Sequence, residues 1–109
     1  MAYDEGLAER VRELLDERED MAEKKMFGGL CFLLHGNMCC GIVGEELMLR
    51  VGAEHYAATL LLDHAREMDF TGRALQGFVY VGIDGLEEDR DLAAWVQRGV
   101  DFAATLPAK

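Results

Sequence analysis

Cys31, His35, Cys39 and Cys40 fall within ten residues of one another. Thiolates and imidazoles are zinc ligands, and a thiolate beside a base is a nucleophile or a redox centre. A structural zinc site takes four such ligands converging at about 2.0–2.3 Å. If Gly36-Asn37 forms a two-residue turn, Leu33 faces Cys40 and Leu34 faces Cys39. Side chains alternate along a strand, so Cys31, His35 and Cys40 then share one face while Cys39 points to the other. Three ligands at most, strung along two strands, do not make a zinc site, and neither Cys-x-x-Cys nor His-x-x-x-His occurs. The expectation is that the cysteines are small core hydrophobes, with no metal and no cofactor. A redox or small-molecule response centred on Cys31, Cys39 or Cys40 is the alternative, and it requires an exposed thiol of depressed pKa.

Other chemistry finds less support. A cysteine nucleophile would need His35, His55 or His64 as its base, and no spacing forces such a pair together. The chain contains no serine and no phosphate-binding Gly-x-x-x-x-Gly-Lys loop. Glu87-Glu88-Asp89-Arg90-Asp91 lacks the ligand positions of a calcium loop and reads as helix capping and solvated surface. No catalytic residue is assigned, and the chain is expected not to be an enzyme.

Lys24-Lys25-Met26-Phe27-Gly28-Gly29 is the most suggestive local feature. Two cations precede an aromatic ring and a glycine pair whose bare backbone allows close approach. The segment could grip an anion or an acidic protein surface; read structurally, it is a strand entry with a glycine bulge. Lys24, Lys25, Phe27 and Gly28, with Arg73, are the expected partner contact.

These residues need elements to carry them. Asp4 is a candidate N-cap, and Leu7, Val11, Leu14 and Leu15 recur at helical spacing to about Glu19. Residues 25–34, 38–43 and 47–51 read as a three-strand meander, with turns at His35-Gly36-Asn37 and Gly44-Glu45-Glu46. Residues 53–62 look helical, with Ala53, Ala57, Leu60 and Leu61 on one side. Residues 66–70 are expected as an edge strand broken by Thr71-Gly72, residues 77–81 as a second strand, and Asp84-Gly85 as a turn. Asp89 or Asp91 then caps a last helix carrying Leu92, Trp95, Val96, Phe102, Ala103 and Leu106, ended by Pro107. Gly99 within it costs about 1 kcal/mol relative to alanine, which close packing would explain. The fold class is α+β: an antiparallel sheet, a three-strand meander plus two further strands, packed with about three helices. Residues 1–109 form one domain.

Composition limits the partners. Eleven basic and 21 acidic side chains leave a formal charge of −10 over 109 residues. Nucleic-acid affinity rests largely on Lys and Arg displacing phosphate counterions, so direct binding is disfavoured, and an anionic membrane would repel the chain. An acidic face steers it toward basic partners. The N-terminus lacks the basic and apolar regions of a signal peptide, and the odd cysteine count gives no disulfide framework. The expectation is a cytoplasmic protein, with self-association open through exposed strand edges such as residues 66–70.

The same residues carry a family likeness. Lys25-Met26-Phe27-Gly28-Gly29-Leu30-Cys31-Phe32, Gly36-Asn37-Met38, Leu47-Met48-Leu49-Arg50-Val51, Met68-Asp69-Phe70-Thr71-Gly72-Arg73, Gly77-Phe78-Val79-Tyr80-Val81 and Leu92-x-x-Trp95-Val96 together resemble the TfoX/Sxy family N-terminal domain. The match covers nearly the whole chain, and the expectation is a stand-alone N-terminal domain without the family's C-terminal helical domain. The resemblance implies an α+β fold, a bacterial cytoplasmic setting and, in two-domain members, regulation of competence genes alongside the cyclic-AMP receptor protein. It implies no catalytic residue. The function expected here is a non-enzymatic regulatory and interaction domain that modulates transcription through a protein partner. A direct DNA-binding regulator is the alternative.

Overall fold

Asp4 opens the first helix as its residue type requires. Its Oδ1 accepts hydrogen bonds from the backbone N–H of Gly6 at 2.9 Å and of Leu7 at 3.2 Å, donors that the first turn would otherwise leave unpaired. The computed structural model describes residues 3–16, 21–26, 28–70 and 73–107. Within them α1 spans Glu5–Leu15, so the expected continuation toward Glu19 falls outside the described residues. Leu7, Ala8, Val11 and Leu15 face inward, and each larger one leaves water with a gain of roughly 1.5–3 kcal/mol. Leu14, assigned to the same stripe, lies 41% exposed instead.

Six antiparallel strands follow: β1 (Met21–Met26), β2 (Gly29–Leu34), β3 (Asn37–Val43), β4 (Glu46–Arg50), β5 (Ala65–Phe70) and β6 (Arg73–Val81), in the spatial order β1-β2-β3-β4-β6-β5. The meander therefore has one strand more than the sequence pattern indicated. Residues 25–34 are not a single strand with a bulge; the chain reverses after Met26, which pairs with Gly29. Gly28 makes that reversal possible, with φ of 74°. The expected edge strand at residues 66–70 is β5, at the rim of the sheet.

The β2–β3 turn sits one residue earlier than expected. Leu34 pairs with Asn37 across His35-Gly36, both at positive φ (53° and 81°), the signature of a type I′ hairpin. Asn37 consequently belongs to β3, where it is buried and its Nδ2 donates to the Pro107 carbonyl oxygen at 2.9 Å. Leu33 pairs with Met38 and Phe32 with Cys40, so Cys39 is the extra residue of a β-bulge. This overturns the expected face assignment. Cys39 and Cys40 both turn toward the helices, and Cys31 lies on the opposite face of the sheet.

All three helices pack on one face. Leu30, Phe32, Leu34, Ile42, Leu47, Leu49, Val79 and Val81 meet α1 and α3 (Asp89–Ala104) there, and Tyr56 and Leu60 of α2 (Ala53–Leu60) pack at the margin. The inward side of α2 is thus formed by Tyr56, Thr59 and Leu60; Ala53, Ala57 and Leu61, expected inside, are exposed. Glu88, one residue before Asp89 and three before Asp91, the two expected caps, is the N-cap of α3 and makes no side-chain capping bond. The other face has its own cluster of Cys31, Met38, Met48 and Tyr80, flanked by Leu33, Val43 and Phe78. Burial on both faces is why β2 and β3 show no clean polar alternation.

Gly99 shows the close packing expected of a glycine inside a helix. A Cβ there would lie 2.2 Å from the carbonyl oxygen of Cys39 and 3.4 Å from Leu49 Cδ2. The bulge and α3 thus meet backbone to backbone.

Candidate functional site

The expected contact residues divide between distant parts of the sheet. Lys24 and Lys25 are exposed on β1, an outermost strand, opposite Cys31 and Leu30 respectively. Directly opposed residues project to the same side, so Lys24 lies on the face of Cys31 and Lys25 on the helix face. Gly28 stands in open space at the end of this strand, with nothing within 4 Å of a Cβ built on it. Arg73 begins β6, four strand positions from β1, roughly 19 Å at the usual ~4.8 Å spacing. Phe27 lies outside the described residues. Lys24, Lys25 and Gly28 form one exposed edge, and Arg73 is not part of it.

The neighbouring residue Glu23 fixes the strand to α1. Arg12 Nε donates to its Oε2 at 2.6 Å and Arg12 Nη2 to its Oε1 at 2.8 Å, a bidentate pair. The Arg12 guanidinium holds the Glu23 carboxyl below the usual carboxylate range and is itself raised, chiefly by the same bonds. Lys24 and Lys25 make no ion pair among the described residues.

The thiols occupy the opposite environment. Cys31, Cys39 and Cys40 have no solvent exposure. Cys39 Sγ donates to the Phe32 carbonyl at 3.4 Å and lies 3.9 Å from Cys40 Sγ. Burial, with a smaller contribution from Cys39, pushes the Cys31 thiol up to about 11. The bond with Cys39, and then burial, hold Cys40 well above the ordinary thiol range. A reactive cysteine needs access and a lowered pKa; none of the three has access, Cys31 and Cys40 are shifted upward, and the arrangement supports their reading as core residues. Among the described residues no three His, Cys, Asp or Glu side chains gather as a metal site.

A hollow of about 430 Å³ lies between α2 and the second half of α3. Val51 and Phe102 form its apolar wall, with Glu54, His55, Arg98 and Asp101 around it. Its polar groups are partly committed: Gln97 Nε2 donates to Asp101 Oδ1 at 2.7 Å, and the Thr59 hydroxyl donates to the His55 carbonyl at 2.7 Å. Of the other histidines, His35 occupies a hairpin turn and His64 lies against Gly85.

Sequence patterns missed how two arginines are used. Arg50 lies 5.8 Å from the centroid of the Phe78 ring and 5.3 Å from that of Phe102, bridging the sheet to α3. Arg66 lies 4.6 Å above the Tyr80 ring while Nε and Nη2 grip Glu46. Cross-strand register carries this information, since Arg66 faces Tyr80, and no local sequence signal does. No helix is long and apolar enough to cross a membrane among the described residues.

No curated protein and no solved structure matches the chain significantly. The family model described as the TfoX N-terminal domain matches residues 13–103, from the last turn of α1 through nearly all of α3. That span contains the entire six-stranded sheet together with the basic edge and the cysteine bulge, and on it the chain belongs to the TfoX N-terminal domain family.

Proposed function

We propose that the chain is a non-enzymatic regulatory domain of the bacterial cytoplasm that modulates transcription, in the manner of competence regulation, by binding another protein. The observation that carries this reading is the exposed β1 edge, where Lys24 and Lys25 lie without ion pairs among the described residues, beside the open Gly28 turn. An outermost strand offers unpaired backbone groups that a partner can extend. Edge lysines discourage indiscriminate strand pairing, so a partner that docks here must bring carboxylates to neutralise them. The formal charge of −10 supports action through a protein in preference to direct contact with DNA.

The test is affinity capture from bacterial lysate at low and high salt, using wild type and the Lys24→Glu/Lys25→Glu variant. The expected result is a protein retained by wild type, insensitive to nuclease, and lost from a variant with an unchanged circular dichroism spectrum. Retention by the variant overturns the β1 assignment. Nucleic acid alone in the eluate overturns the protein-partner reading.

A further inference from the structure

Away from the β1 edge, three shallow depressions join end to end. The first lies between the β3–β4 turn and the 3-10 turn Ile83–Gly85, with Glu46, His64 and Asp84 at its sides. It shares Glu45 and Ile83 with the second, which runs along the start of α1 over Leu7 and Leu86. The second shares Arg10 with the third, between Leu14 and Leu92. Together they form a continuous trough.

Its floor is apolar and its rim is acidic. Leu7, Leu86 and Leu92 are buried beneath it, whereas Ile83 and Leu14 are 52% and 41% exposed, two of the four large hydrophobic side chains open to solvent among the described residues. Ile83 is held in place: Gly85 N–H donates to the Gly82 carbonyl at 2.9 Å and Leu86 N–H to the Ile83 carbonyl at 3.0 Å. Seven carboxylates line the three depressions against one guanidinium, that of Arg10. Only Asp89, bound to Arg10, and Glu46, bound to Arg66, are in ion pairs among the described residues. Solvated carboxylates need no apolar neighbours. A fixed isoleucine and an exposed leucine between them supply the second half of a recognition surface, since apolar contact gives affinity where charge alone gives attraction.

We propose that this trough docks a basic amphipathic segment of another protein, its Lys or Arg side chains meeting Glu13, Glu45, Asp84 and Glu87 and its apolar face meeting Ile83 and Leu14. Long cationic side chains suit such a site, because their stems cover apolar surface while their heads reach carboxylates. The surface does not include β1, and its occupant has the opposite charge from the one expected there.

The test titrates an 18-residue fluorescein-labelled Lys/Leu peptide of helical amphipathic spacing, and its shuffled isomer of equal charge, into the protein. The amphipathic isomer is expected to bind at least tenfold more tightly. Glu45→Gln/Glu87→Gln raises its Kd at least fivefold, and Ile83→Thr, which keeps every charge, raises it at least threefold. The distant pair Glu54→Gln/Asp101→Asn changes it less than twofold. Equal binding of the two isomers, or an equal loss from the distant pair, overturns the trough in favour of diffuse attraction. Spermine that competes at the peptide's own concentration overturns it in favour of a polyamine site. Amide shift changes confined to residues outside the trough also overturn it.

Discussion

Replacing Gly99 by alanine sets local helix preference directly against tertiary packing. In an isolated helix the change is favourable by about 1 kcal/mol. In this fold the added Cβ would lie 2.2 Å from the Cys39 carbonyl oxygen and 3.1 Å from its carbon. Ordinary contact begins near 3.4 Å, so α3 or β3 must yield by about 1 Å, and the obstacle is backbone, which cannot rotate away. Overfilling a packed interior costs about 1–3 kcal/mol, and a gap of 0.5–1 Å forfeits a quarter to a half of each dispersion contact. The contacts at stake are those of Leu92, Val96, Val100 and Ala103 with the sheet. The expected balance is a net loss of about 2 kcal/mol, or roughly 8–16 °C in Tm for a domain of this size. Thermal and urea denaturation followed by circular dichroism measure it. Ala94→Gly, on the exposed side of the same helix, should lose about 1 kcal/mol from propensity alone and calibrates that effect. A Gly99→Ala protein as stable as wild type, or more so, would refute the backbone contact between α3 and the bulge.

The buried thiols predict an alkaline loss of stability. Cys31 keeps its proton in the folded state until pH reaches about 11, whereas the unfolded chain gives it up near 9; stability is therefore intact below pH 9 and falls as pH rises toward 11. The two-unit difference corresponds to roughly 3 kcal/mol at the limit, and Cys40 adds in the same direction. Urea midpoints at pH 7, 9 and 10 should fall more steeply for wild type than for Cys31→Ala, and equal slopes would contradict the cause assigned. All three thiols should react with Ellman's reagent only as fast as the protein unfolds; a rapid first equivalent would identify an accessible cysteine. Asp4→Ala removes the acceptor for two α1 N–H groups and should cost about 1 kcal/mol in a urea melt, with Asp4→Asn recovering most of it.

Sequence carried α1 and α3 well because their information is local, whereas the inward side of α2 was misassigned. Asp4 is a cap by residue type, and the stripes of α1 and α3 repeat at 3.6 residues. The missed features depend on pairing. Met21-Ala22-Glu23-Lys24-Lys25-Met26 has no β-branched residue and no apolar run; it is a strand because β2 stands beside it and Arg12 holds Glu23. The cysteine faces were misassigned because alternation presumes one residue per partner, and a bulge breaks that rule without any marker of its own. Of the expected contact set, Lys24, Lys25 and Gly28 were legible as neighbours in sequence, while the distance to Arg73 is a property of strand order. The acidic trough was illegible for the same reason. Its residues come from both ends of α1, the start of α3, the β3–β4 turn, the 3-10 turn and the residue before β5, which meet only after the sheet is assembled.

The bulge also constrains how the length of this chain can change during descent. The β2–β3 register skips Cys39, so it is the position in β3 whose deletion leaves Met38 and Cys40 on their own faces in regular alternation. Deleting a paired residue nearby would turn the remainder of the strand inside out. The same residue supplies the carbonyl that leaves no room for a side chain at position 99. A shortened β3 would therefore open space beneath α3, and a larger residue there would fill it. Strand length at position 39 and side-chain size at position 99, sixty residues apart in sequence, are thus expected to be inherited as a pair.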